Sequence, residues 1–556
     1  MKVMKKYIKY ICMVAMLLSV SSCSSFLDVT PEDSRTADNY YNSETDVRNN
    51  TASLYGRVWW SWQEHAMWEF GDIMSGELYY TYDQEGQFYY MSFNSGNSYL
   101  DSGWKGLYRV ISFANSVISD VPSKSSSSVS QSVITQAVAE ARFIRGVAYY
   151  YLTEYWGEVP IVTNSSDNIS NGDLDLNKNN RKSLYKFIIS DFTYAMNNLP
   201  SEDSQAGRAT KWAAEGMLAK VYLTRASAAM GDAATYGDAS SDFTKAKDLC
   251  SDVITNSGHT LDSDYANNFT VDGNNNSESL FAIQCKSGAY ELGNSRNCNF
   301  ARSSTIADQC WGAGKGPTIS LEKAFSSSDN RRKWTYMKQG DYYSMLDKSD
   351  GGYTYNNLKT ANSETPSDML AHIKKYVIGK ASDCNNNVGT NQDAGNNVHI
   401  LRLSDVYLMY AEAVLGTSSS TTDATALKYF NAVHHDRAGL TAATSLSFTD
   451  ILAERRLEFA FEGMRWLDIK RYYYRDKTDA LALLNGTGRN LYYKLKTGYN
   501  SALEDDANDN SHYDLVSNTN IQVVISDSQM FLPIPSEALT SDALLGDAAV
   551  DYTTTE

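Results

Sequence analysis

Proline is scarce in this chain, with 8 in 556 residues. A polyproline or collagen-like polymer is thereby excluded, and little stands in the way of long helices. Basic residues are in deficit too: 49 Lys and Arg face 66 Asp and Glu, for a net charge of −17. Such a surface repels phosphate backbones, which excludes nucleic acid as a partner, and it cannot grip anionic lipid. After residue 22 no apolar run reaches the ~20 residues that a membrane helix needs. Cysteines number seven and no CxxC pair occurs. Cys285, Cys298 and Cys310 have no nearby histidine, so they make no zinc pattern. GxSxG, P-loop, dinucleotide and HExxH signatures are all missing. His434-His435-Asp436 reads as an exposed helix end, because adjacent helical side chains point in different directions. Neither a cofactor nor a metal is expected.

What is present begins at the N-terminus. Lys2, Lys5, Lys6 and Lys9 form a positive region, and Ile11 to Val20 an apolar one too short to span a bilayer. Val20-Ser21-Ser22-Cys23 resembles the bacterial lipobox, in which cleavage exposes a cysteine for lipid attachment. Residues 1–22 are therefore expected to be a lipoprotein signal peptide, Cys23 the lipidated residue, and 23–37 a flexible tether. Several acyl chains hold a protein on a membrane where one does so only marginally. Removal of four lysines deepens the net charge from −17 to −21. Five cysteines remain, which cannot all pair, and none is assigned a chemical role.

Helical periodicity dominates the regular segments. Ile144, Ala148, Tyr151 and Tyr155 form one stripe between Gln136 and Trp156, with Gly157 as a stop and Pro160 beyond it. Ala214, Leu218 and Val221 repeat the pattern, and Leu401 to Leu415 is apolar nearly all round, which predicts burial on several sides. Leu452, Phe459 and Trp466, spaced by seven, predict one further helix. More helices are expected around 38–56, 104–119, 182–198, 241–256 and 423–435. With small residues at the contacts, the fold class is mostly α: tetratricopeptide-like helix pairs in a right-handed superhelical scaffold, with a few short strands. Long irregular loops are expected at 122–130, 164–180, 257–279 and 340–400. Ile521 to Ile525 reads as a short strand, and Phe531 to Pro535 as an extended buried tie.

Two constellations bear on chemistry. Glu454, Glu458 and Glu462 repeat at i, i+4 beside Arg455, Arg456 and Arg465. A glycosidase needs two carboxyls across a sugar, about 5–9.5 Å apart in a cleft; three on an arginine-flanked helix read instead as an ion-pair network. Aromatic density is the second. Residues 59–104 hold 14 Trp, Tyr or Phe in 46 positions, against 12% overall. Trp59, Trp60, Trp62, Trp68 and Trp104 read as core. Tyr79, Tyr82 and Tyr89 lie in a polar setting with Asp83 to Gln87, where flat rings suit the C–H faces of pyranoses.

A set of motifs, in order, resembles the SusD/RagB family of surface lipoprotein nutrient binders of the Bacteroidota. It begins with Cys23 and Phe26-Leu27-Asp28, then Trp104-x3-Tyr108-x2-Ile111-x3-Asn115. AEARFIRGVAYYYLTEYWGEVPIVT (139–163), RATKWAAEGMLAKVYL (208–223) and LRLSDVYLMYAEA (401–413) follow. ERRLEFAFEGMRWLDIKR (454–471) and FLPIP (531–535) close it. One departure stands out: where the family reads Asn-x-Val-Arg-x-Arg-Ala-Gly-Leu, this chain has NAVHHDRAGL (431–440). An extra residue is present and a histidine replaces the first arginine, which puts a local salt bridge in doubt.

The resemblance implies one SusD-like domain over 38–556, its N-terminal part about 38–226 and its C-terminal part about 280–556. It implies a non-catalytic, cell-surface protein, anchored in the outer membrane, that delivers oligosaccharide to a SusC-type TonB-dependent transporter. The alternatives are a peptide-binding uptake lipoprotein of the same family and a lipid-anchored glycoside hydrolase. By region, binding groups are expected just before the Trp-x3-Tyr helix, at Phe93, Asn94 and Asn97, and in a mid-chain loop, at Tyr290 and Trp311.

Overall fold

The computed structural model describes residues 40–553, apart from 81, 83, 165–175, 289–290, 308–309, 348, 350, 356–370, 381–391, 497–512 and 520. Its framework is a run of helices: α1 (Glu44–Ala52), α2 (Ser98–Lys124), α3 (Gln131–Trp156), α4 (Arg181–Asn198), α5 (Lys211–Gly231) and α6 (Ala239–Asn256). The C-terminal half adds α7 (Leu403–Leu415), α8 (Ala424–Asn431), α9 (Phe448–Glu458) and α10 (Arg465–Arg475). Starts follow capping chemistry: Asn180, Thr210 and Asp238 each accept a backbone N–H in the first turn, and Ser447 with Asp450 forms a capping box. Successive helices from α2 to α7 pack on one another, and α5 also meets α10, which continues the stack into the C-terminal half.

The family motifs are where the helices are locked together. Arg145 on α3 makes two 2.8 Å bonds to Asp191 on α4 and a third to Asn115 on α2. Glu140 on α3 accepts from Arg48, Arg208 and the Tyr55 hydroxyl at 2.7–2.8 Å. Arg455 joins Asp405 at 2.7 Å and Asp468 at 2.8 Å. Buried charges are tolerated only when paired and hydrogen-bonded, and these are. The FLPIP segment is an extended tie, buried at Leu532 and Pro535 and half-buried at Phe531, Pro533 and Ile534: Leu532 N donates to Tyr155 O at 2.8 Å, and Trp156 Nε1 to Pro533 O at 3.1 Å.

Three expectations need correction. Leu452, Phe459 and Trp466 do not share one helix. α9 ends at Glu458 and α10 starts at Arg465, with Phe461 and Gly463 at positive φ between them. The turn lets the backbone at Gly463 touch Gly71 so closely that a Cβ on Gly71 would lie 2.3 Å from the Gly463 Cα. Ile521 to Ile525 forms no strand ladder. The side-chain amide of Asn485 holds Ile525 instead, accepting from its N–H at 2.7 Å and donating to its carbonyl at 3.2 Å. Finally, the pairing in doubt at NAVHHDRAGL is kept in altered form, with His434 beside Glu454 in place of the arginine. The extra residue is absorbed as a π-helical turn, Ala432–Arg437. Arg437 still reaches Glu458 at 2.8 Å and pairs with Glu278, while His434 meets Glu454 at 2.7 Å.

Strands are short and two-stranded: Ser279–Ile283 pairs antiparallel with Val398–Arg402, and Leu78–Tyr79 with Gly316–Pro317. No described helix is long and apolar enough to cross a membrane.

Candidate functional site

The Leu78–Tyr79 ladder organises the aromatic loop. Leu78 stands opposite Pro317 and Tyr79 opposite Gly316, so Tyr80 lies alongside Gly314 and Lys315 at the end of the turn that carries Trp311. The arms touch: a Cβ on Gly314 would sit 3.6 Å from the Tyr80 ring, and Lys315 Nζ lies 4.3 Å from that ring's centroid. Tyr82 follows with its centroid 6.3 Å from that of Tyr80 and is 73% exposed. On the other arm Trp311 is 48% exposed. Its backbone is fixed, not loose. Trp311 N donates to Cys298 O at 2.8 Å and Gly312 N to Ala301 O at 2.9 Å. A Cβ on Gly312 would fall 2.1 Å from Phe300 O, so only glycine lets the turn press this close. Two large rings thus face water on adjoining arms of one ladder.

The other predicted contacts divide. Tyr79 is buried, its ring edge-on to Tyr89 at 5.1 Å. Tyr89 is buried as well, its hydroxyl spent on Arg489 O at 2.9 Å. Asn97 is the N-cap of α2: its Oδ1 accepts from Tyr99 N and Leu100 N, and its amide donates to Gln84 O and Gln87 Oε1, both at 3.1 Å. These three are corrected from candidate contacts to structural residues, because burial and internal bonds occupy them. Phe93 is half-buried, 5.4 Å from the Phe88 ring. Asn94 is exposed, with its Oδ1 accepting from Gly96 N at 2.8 Å. Tyr290 and Cys23 lie outside the described residues. Trp59, Trp60, Trp62, Trp68 and Trp104 are buried, as read.

Sequence reasoning missed the charge beneath this face. Lys315 is buried under Tyr80 and Trp68, and its Nζ stands 3.7 Å from Glu85 Oε2. Burial lowers its pKa, against the pull of Glu85 and Glu69. The one sequence signal is a lone cation between glycines, in Ala313-Gly314-Lys315-Gly316.

The glutamates of the 454–471 motif are a network, though not with the neighbouring arginines. Glu458 accepts from Arg331 at 3.0 Å, Arg402 at 2.9 Å and Arg437 at 2.8 Å, and Glu462 from Arg402 and Lys375. Arg456 and Arg465 reach Glu77 instead. Burial would raise the Glu458 carboxyl, but Arg437, Arg402 and Arg331 hold it far below the usual range. A glycosidase acid needs the opposite shift.

Known proteins place this chain. A family model described as "SusD family" matches residues 231–546, and one described as "Starch-binding associating with outer membrane" matches 25–223. A SusD-like protein of Bacteroides ovatus is 33% identical over the whole of this chain and 99% of its own. A solved structure with xylogluco-oligosaccharide shares 31% identity and a TM-score of 0.80, covering 92% of this chain and 100% of that one. A laminarin-binding SusD-like protein, 21% identical with a TM-score of 0.66 over 90% and 98% of the two chains, shares the fold. The chain belongs to the SusD family, and that family description ties it to the outer membrane.

Proposed function

We propose that this protein is a cell-surface, lipid-anchored glycan binder that captures oligosaccharide on the Tyr82–Trp311 face and delivers it to a SusC-type TonB-dependent transporter. The observation that carries the reading is the contrast in exposure. Tyr82 and Trp311 present their rings to water, while Tyr79, Tyr89 and the tryptophans around them are buried. Two exposed rings on adjoining arms of one ladder offer flat apolar faces that the C–H face of a pyranose can cover. Fixed backbone at Trp311 limits the ordering cost of binding. Support also comes from the 31% identical relative solved with xylogluco-oligosaccharide, which makes β-glucan oligosaccharides the first ligands to try. The buried, arginine-held carboxylates favour binding without hydrolysis.

A glycan array probed with the full chain in mild detergent tests the reading. Retention of oligosaccharides without release of shorter products is the expected result. Retention of peptides alone, or production of shorter sugars, counts against it. Co-purification from membranes should bring down a large TonB-dependent β-barrel; a binder that always purifies alone contradicts delivery.

A further inference from the structure

Before the aromatic loop the chain is wound as two π-helical turns, Trp62–Ala66 and Glu69–Ile73. Such widened turns are uncommon and recur at functional sites. Here the winding brings His65 beside Glu69, and the short helix Glu85–Tyr89 carries Glu85 to the same point. His65 Nδ1 lies 3.1 Å from Glu69 Oε1 and 3.3 Å from Glu85 Oε1. One donor atom from each residue falls within 4.8 Å of the others. Those separations fit the edges of a small tetrahedron, since atoms at zinc–ligand distances of ~2.0–2.1 Å stand roughly 3.3 Å apart.

The hydrogen bonding is also incomplete. Nδ1 carries at most one proton and cannot donate well to both carboxylates. Glu69 Oε2 is buried and accepts no hydrogen bond, and Glu85 Oε2 has only the Lys315 ammonium, 3.7 Å away and beyond hydrogen-bond reach. A buried carboxylate oxygen left this way is costly, and a cation bound by both residues would relieve it.

We propose that His65, Glu69 and Glu85 form a binding site for a divalent transition-metal ion, with zinc the best match to one imidazole and two carboxylates. The ion would enter as the proton on His65 Nδ1 leaves. Glu64, whose Oε1 is 3.9 Å from His65 Nε2, faces the other side of the ring. Because Glu85 lies three residues after Tyr82, the ion would pin the aromatic loop to the helical stretch below it. This assignment stands apart from the glycan reading, and its test needs no sugar.

The full chain in mild detergent, stripped with a chelator, is titrated with zinc chloride by calorimetry and with cobalt chloride by visible spectroscopy. One saturable equivalent of zinc and intense four-coordinate cobalt bands are expected. Glu85→Gln and His65→Gln should each lose that equivalent, with folding checked by circular dichroism. The cobalt spectrum of the unmodified chain decides the matter should either variant fail to fold. No saturable uptake by the full chain, or uptake that Glu85→Gln leaves unchanged, overturns the proposal.

Discussion

The Tyr89 hydroxyl donates to the backbone carbonyl of Arg489, 2.9 Å away, and the Arg489 guanidinium donates back to the Tyr89 carbonyl at 2.6 Å. Two segments 400 residues apart in sequence are closed on each other by this exchange. It lies directly under the aromatic loop, so Tyr89 belongs to the support of that loop and not to its binding surface.

Tyr89→Ala should therefore cost about 3–5 kcal/mol of stability, as for other large aromatics removed from a packed core. Tyr89→Phe should cost less, because only the hydroxyl bond is lost. Urea unfolding of both variants measures this. An unchanged midpoint together with weakened glycan binding would return Tyr89 to the site.

The Glu278 cluster sets an acid limit. Burial alone would raise this carboxyl, but Arg437 and Arg402 outweigh it and hold its pKa near about 2. An unfolded glutamate titrates at about 4.3. The folded value is the lower one, so the stabilisation is fully present above about pH 4.3 and is lost as the pH falls towards about 2. Glu278→Gln should lower stability at neutral pH by about 3–5 kcal/mol, since buried arginines lose a charged partner. It should also flatten the acid limb of an unfolding curve recorded against pH. A variant that loses stability equally at every pH would show that the charge is not the cause.

Cys23→Ala should release the protein from membranes while leaving its circular dichroism unchanged. Labelled palmitate is expected on the unmodified chain and absent from the variant. Label persisting on the variant would place the lipid elsewhere.

Helices and core were legible because periodicity and capping are local. Ile144 to Tyr155 form a buried stripe, and Gly157 ends α3 as its position implies. The arginine partners were not legible: Glu458 pairs with Arg331, Arg402 and Arg437, up to 127 residues away, while its neighbour Arg455 turns to Asp405 and Asp468. Spacing on one helix says nothing of which charge another element will bring. The aromatic loop shows the same limit. Tyr79, Tyr82 and Tyr89 look alike in sequence, but the ladder to Gly316–Pro317 holds Tyr79, the exchange with Arg489 holds Tyr89, and Tyr82 is left exposed. Asn97 looked like a polar contact because capping and sugar recognition draw on the same residue types. His65, Glu69 and Glu85 gave no signal, since their meeting depends on two π-turns and a separate short helix.

The central claim rests on two exposed rings, and calorimetry of Tyr82→Ala and Trp311→Ala against an oligosaccharide retained on the array tests it most directly. Covering one aromatic face should be worth on the order of 1–2 kcal/mol. Each substitution should then weaken binding by about fivefold to thirtyfold, with the melting temperature essentially unmoved because neither ring is in the core. Unchanged affinity in both variants would contradict the account and put the sugar on another surface.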